Sequence, residues 1–235
     1  MIRCPVCLHD NDEFAITCGR CKGFLQNRIP NLNLFETVWS VLESPRTAFR
    51  HIALADHKNF SVLLFGLFGI SLSFTGLWYF KLGDRFSTLL DLIVQTLIVG
   101  PFVGLAASIV LVLLFHLVAR AVGGKAAFRT SYALLAYALT PIVLSLLFVL
   151  PIELLTFGMF LFTSNPHPYI LKPVSYVLLV GFDGLMSLWS IVLAAVGGAV
   201  AHGLSYGRSV AVVVLTLAAL SGVFVLVSQQ LSAAL

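Results

Sequence analysis

The chain has 235 residues, 59% hydrophobic and only 10% charged, with a mean hydropathy of +1.00. Water-soluble domains are nearer half apolar and a quarter charged, so this composition excludes a soluble globule. The apolar runs are long and unbroken rather than alternating, which excludes a β-barrel and leaves helices to satisfy the backbone in lipid. The expected fold class is an all-α polytopic membrane protein with a small N-terminal module. The polar, cysteine-bearing start lacks the basic and then apolar pattern of a cleavable signal peptide, and none is expected.

Residues 1–28 hold all four cysteines, as Cys4-Pro-Val-Cys7 and Cys18-Gly-Arg-Cys21. Two C-x2-C knuckles at this spacing supply four thiolates to a tetrahedral zinc ion, and a closed four-ligand shell makes that zinc structural. The rival pairing, two disulfides, is disfavoured in a reducing compartment. Gly19 and Gly23 are expected to relieve the second turn, and Arg20 and Lys22 to offset negative charge. Phe14-Ala-Ile16 reads as a short strand, and His9 as a solvated loop residue rather than a ligand. Basic and acidic groups nearly balance over residues 1–58, a poor footprint for nucleic acid. The ribbon is better suited to docking a protein.

Residues 29–58 form an amphipathic connector. Phe35, Val38, Trp39 and Leu42 make one apolar helical stripe opposite Glu36, Thr37, Ser40 and Glu43. Ser44-Pro45 restarts a helix, serine as cap and proline at its first position. There Arg46 and Arg50 share a face, with Phe49 and Ile52 pointing away. Two placements are open: short helices lying on the leaflet with Trp39 at headgroup level, or packing against the ends of the spans.

Residues 59–235 form the helical bundle, with spans expected at about 60–80, 96–119, 131–150, 184–204 and 208–230, since crossing takes roughly 20 apolar residues. The stretch 151–183, interrupted by Pro151, Pro166, Pro168 and Pro173, fits an extension, an interfacial helix or a re-entrant piece. Basic residues fall mostly on one side: Arg3, Arg20, Lys22, Arg28, Arg46, Arg50 and Lys58 before the first span, Arg120, Lys125 and Arg129 in the second loop, and Arg208 in the fourth. The other side holds Lys81, Arg85 and Lys172. This asymmetry puts the N-terminus in the cytoplasm.

Asp91, Gln95, His116, Glu153, Asp183 and His202 lie in or beside the spans, where ionisable groups are costly and hence functional candidates. His116 and His202 sit close enough to Arg120 and Arg208 to reach the interface, and the three acids fall toward the opposite side. Helix-end bonding or snorkelling is the expected role for these groups, with a proton or substrate path as its rival. Small residues repeat every four at Gly100, Gly104 and Ser108, at Ala195, Ala199 and Gly203, and at Ala218 and Gly222. Such stripes permit close helix approach, within one bundle or in a homo-oligomer. Pro101 and Pro141 are expected to kink their helices. Neither a zinc-protease motif, a phosphate-binding glycine loop nor a serine–histidine signature is present, so no enzyme is expected.

Three stretches carry a family resemblance: ESPRTAFRHI at 43–52, GGKAAFRTSYALLAYALTPIVLS at 123–145, and FDGLMSLWSIVLAAVGGAVAHGLSYGRSVAVVVL at 182–215. Together with the span spacing they resemble the Yip (Ypt-interacting protein) domain family of five-pass membrane proteins, over about residues 43–232. The resemblance implies a helical bundle and a cytoplasmic N-terminus. The ribbon lies outside the shared domain and is similar to an arrangement in bacterial relatives, which implies a bacterial inner membrane. Eukaryotic members bind prenylated Rab-type GTPases and typically carry D-L-Y-G-P. The nearest stretch here, Val99-Gly100-Pro101, lacks the acidic and aromatic residues, a departure that counts against GTPase binding.

The expected function is a non-enzymatic membrane adaptor whose ribbon recruits an unidentified protein partner to the bilayer. Arg46, Arg50, Arg120, Lys125 and Arg129 would contact headgroups or that partner. The alternative is a transporter or lipid-handling protein with a polar cavity in the bundle.

Overall fold

The computed structural model describes residues 2–12, 15–26 and 29–234, with side chains described throughout except at 223, 224 and 226–234. In the first module β1 (Ile2–Arg3) pairs antiparallel with β2 (Asp10–Asn11). An isolated bridge joins Thr17 to Phe24. The strand expected at Phe14-Ala-Ile16 is displaced: Phe14 lies outside the described residues, and the pairing begins only at Thr17.

β3 (Ile29–Asn31) then enters the connector, and β4 (Ala55–His57) leaves it, the two running parallel. Between them stand α1 (Leu34–Glu43) and α2 (Pro45–Leu54). Asn33 caps α1, its side chain accepting from the Glu36 amide at 3.5 Å. Pro45 opens α2 as expected, but Ser44 makes no side-chain cap; its hydroxyl donates back to the Ser40 carbonyl at 3.5 Å. The carbonyl one turn back is the nearer acceptor for this short side chain.

The apolar stripe of α1 is not its buried face. Thr37 and Val41 are buried, whereas Phe35 is 84% and Trp39 68% exposed. α2 instead buries Ala48, Phe49 and Ile52 against the bundle. Each connector helix thus takes one of the two placements left open: α2 packs on the span ends, and α1 shows its aromatic side outward.

The bundle comprises α3 (Ser61–Phe80), α4 (Leu89–Ala121), α5 (Phe128–Ala138), α6 (Thr140–Phe157), the short α7 (Pro168–Leu171), α8 (Pro173–His202) and α9 (Tyr206–Ala234). Among the described residues, four stretches are long and apolar enough to cross a membrane: Ser61–Phe80, Leu89–Ala121, Phe128–Phe162 and Pro173–His202. α9 adds a shorter apolar stretch, Tyr206–Gly222.

Three expectations are corrected. The third span is two helices broken at Leu139, and Pro141 sits in the first turn of α6, where it starts a helix instead of kinking one. The fourth span begins at Pro173, so 173–183 belongs to it, because proline at a first turn leaves no amide unsatisfied. The second begins at Leu89, capped by the Thr88 hydroxyl, which accepts from the Asp91 amide at 3.1 Å. Pro101 does lie inside α4.

α3 and α4 pack most closely. A Cβ on Gly104 would collide with the Phe65 carbonyl and with Gly69, and one on Gly69 with the Gly100 and Gly104 backbones. The Gly100–Gly104–Ser108 stripe is therefore spent inside the bundle. In contrast, Ala218 and Gly222 on α9 face outward. α8 is the central element, touching α2, α5, α6, α7 and α9. One apolar core, with Phe49, Phe65, Phe115, Leu134, Tyr137 and Leu193, fills the connector end of the bundle. A second, with Phe74, Leu92, Phe157 and Phe162, fills the other end. The outward faces, such as Ile98, Phe102 and Ile109 on α4, are apolar, as lipid contact requires.

Candidate functional site

Each cysteine knuckle is built the same way. The Leu8 amide donates to the Cys4 carbonyl and the Lys22 amide to the Cys18 carbonyl, both at 3.0 Å. The residue after each second cysteine, Leu8 at φ 56° and Lys22 at φ 60°, takes the left-handed conformation. The strained positions are thus these two residues, and not Gly19 or Gly23. The turns bring all four Sγ atoms within 4.8 Å of one another. Cys4 and Cys21 lie 3.5 Å apart, as do Cys7 and Cys18.

Amides converge on these sulfurs. The Gly23 amide donates to Cys21 Sγ at 3.4 Å, while Asn11 anchors the second knuckle by accepting from the Gly19 amide at 2.9 Å. The Cys21 and Arg20 amides hold Cys18 down to about 6. The amide of Cys7 likewise lowers Cys4. Cys21 also gains an amide, that of Gly23, yet the thiols crowded around it push it up to about 12. Four thiolates at this separation repel unless a cation sits among them, and an all-sulfur tetrahedral donor set suits zinc or iron. The residues present fit a metal ion.

At the connector end of the bundle, three side chains from three helices meet. Ser131 Oγ lies 2.9 Å from His116 Nδ1 and 2.9 Å from His202 Nε2. Ser131 is fully buried and His202 nearly so, and His202 Nδ1 has no hydrogen-bond partner. His202 is therefore buried in the protein at the end of α8. The loop above it is closed by the Lys125 amide donating to the His202 carbonyl (3.2 Å) and by Arg120 Nη1 donating to the Gly124 carbonyl (3.3 Å). Arg120, Lys125 and Arg129 are all exposed there.

Sequence reasoning missed two residues at this end. Ser131 carried no signal, being one hydroxyl in an apolar helix. Lys58, counted only as a charge, donates to the carbonyls of Ile52, Ala53 and Ala55 at 2.6, 3.2 and 3.0 Å, closing the end of α2. Its position just past a helix C-terminus was the available signal. Burial, then the neighbouring Arg129 charge, pull Lys58 down to about 8, with Asp56 opposing.

The three acids part company. Asp91 sits in the first turn of α4, accepting from Gln95 Nε2 at 2.7 Å. Glu153 on α6 and Asp183 on α8 face the same cavity inside the bundle, and Ser145 donates to Asp183. Glu153 is 6% exposed. Both line a cavity of about 310 Å³ with the hydroxyls of Ser71, Thr75 and Ser187. Asp183 lies ten residues into α8, about 15 Å from its end at 1.5 Å per residue.

Arg46 and Arg50 extend from the polar face of α2, with the Arg46 guanidinium carbon 5.1 Å from the centre of the Tyr206 ring. A family model, that of the Yip1 domain, matches residues 39–228. No curated protein and no solved structure matches the chain.

Proposed function

The chain belongs to the Yip1 domain family, and from that premise we propose that it is a non-enzymatic integral membrane adaptor. It divides into a zinc ribbon at 1–28, interfacial helices at 29–58 and a Yip-like bundle at 59–235. A single zinc ion held by Cys4, Cys7, Cys18 and Cys21 orders the ribbon, and the four-sulfur shell leaves no site for a catalytic water. The basic residues before the first span and in the second loop favour a cytoplasmic N-terminus, in a bacterial inner membrane. The ribbon then meets a soluble or membrane protein partner on that side. The observation that carries this reading is the convergence of four Sγ atoms within 4.8 Å in a module too small to hold a core without a metal.

The test is a crosslinked pull-down of the full chain from native membranes, beside a Cys18→Ser/Cys21→Ser variant at matched expression. The parent is expected to carry one zinc and a partner that the variant loses. An identical set of captured proteins from both would overturn the adaptor reading.

A second reading has its own observation, the Glu153–Asp183 pair in its cavity. Two carboxyl groups facing one cavity within the spans mark an ion or substrate path. On this reading the bundle moves a cation or handles a lipid. Flux or lipid transfer in proteoliposomes would then vanish in Glu153→Gln/Asp183→Asn while partner capture persists. Equal flux in parent and variant would remove this reading.

A further inference from the structure

The corner where α2 packs on α8, and where α8 turns into α9, forms an open cavity of about 910 Å³. Arg46, Arg50 and His51 line one wall from the polar face of α2. No aspartate or glutamate is among its described lining residues. Ile29, Leu54, Val200 and Leu204 supply an apolar floor. The two guanidiniums are braced from different sides. Arg46 lies over the Tyr206 ring, a cation–π contact, and Arg50 Nη2 donates to Gln26 Oε1 at 3.5 Å.

Height in the molecule matters as much as charge. α8 ends at His202 and α9 begins at Tyr206, so the cavity sits level with the ends of two spans, where headgroups lie. Tyr206 marks that level as an interfacial aromatic does. Phe35 and Trp39 of α1 are exposed and would rest the connector on the same surface.

We propose that this cavity binds the phosphate of an anionic phospholipid, with Arg46, Arg50 and His51 around the headgroup and an acyl chain along Val200 and Leu204. Paired guanidiniums match phosphate oxygens in fork geometry, and the uncompensated basic wall discriminates against zwitterionic headgroups. The apolar floor selects a lipid over a free phosphate compound. This site stands apart from the metal centre and the intramembrane acids, so it holds or fails independently of the adaptor reading.

The experiment uses the full chain in an uncharged detergent, titrated with dioctanoyl phosphatidylglycerol, dioctanoyl phosphatidylcholine and inorganic phosphate. Apparent Kd is read for the parent, for Arg46→Gln/Arg50→Gln, and for Arg85→Gln/Lys172→Gln as a matched loss of charge at the other end of the bundle. All four altered side chains are exposed, and a melting curve for each variant verifies its fold. The parent is expected to prefer phosphatidylglycerol over phosphatidylcholine. The α2 variant should lose about tenfold or more of that binding, at roughly 1 kcal/mol per basic group near an anionic surface. The far-end variant should stay within about threefold of the parent. Equal losses in both variants, or equal binding of the two lipids, would overturn the site. Inorganic phosphate binding as tightly as the lipid would overturn the lipid as its occupant.

Discussion

Lys58 shows how one side chain closes two elements at once. Its ammonium satisfies three carbonyls at the end of α2 and does so partly buried, beside the positive charge of Arg129. An unfolded lysine keeps its proton to about 10.5, whereas the folded one releases it near 8. Between these values the unfolded chain binds more protons, so stability rises with pH there and is flat below about 8. Thermal melting in detergent is expected to show that rise, and Lys58→Met to diminish it. The same substitution should cost about 1–3 kcal/mol at neutral pH, because the carbonyls lose their donor. Residue types of this kind were legible in the sequence, but their pairings were not. The cysteines announced a site through spacing alone. Glu153 and Asp183 stand thirty residues apart on different helices, and only the packing of α6 on α8 makes them neighbours.

Among elements, the α3–α4 contact is the most exacting. Its glycines let two backbones meet with no side chain between them, so the stripe of small residues was a true sign of close approach. Replacing Gly104 with alanine puts a methyl group into the Phe65 carbonyl, and the two helices must part. We expect Gly104→Ala to lower stability by about 1–3 kcal/mol or more. Gly76, which has nothing near its missing Cβ, should tolerate alanine with little change. Detergent melting of the two variants side by side measures the difference. Prolines misled where this glycine stripe did not. Pro141 and Pro173 each start a helix, yet the same residue in an interior turn bends one, and sequence context alone does not separate the two roles. The break at Leu139 was marked only by Thr140-Pro141, which reads equally as an interior kink, because the helices on both sides are largely apolar and buried next to it.

For the whole molecule, metal and bundle should behave as separate stabilities. The bundle draws on two apolar cores and on glycine packing, while the first module has two short strands and a cluster of thiols. Stripping the metal with a membrane-permeant chelator is expected to open residues 1–28 to protease while helical circular dichroism changes little. Loss of most helical signal on chelation would instead tie the bundle's fold to the ion. Readdition of zinc should restore protection.

The parallel pairing of Ile29–Asn31 with Ala55–His57 has a mechanical consequence. The ribbon hangs from the leading end of one strand, and the first span leaves from the trailing end of the other. Tension between a partner bound at the ribbon and the bilayer would load this pair in shear, along the strands, with its hydrogen bonds sharing the load. The helices between them are shunted out of the line of force. A tug on the ribbon reaches the first span directly, and the connector keeps its shape while the tether is under strain.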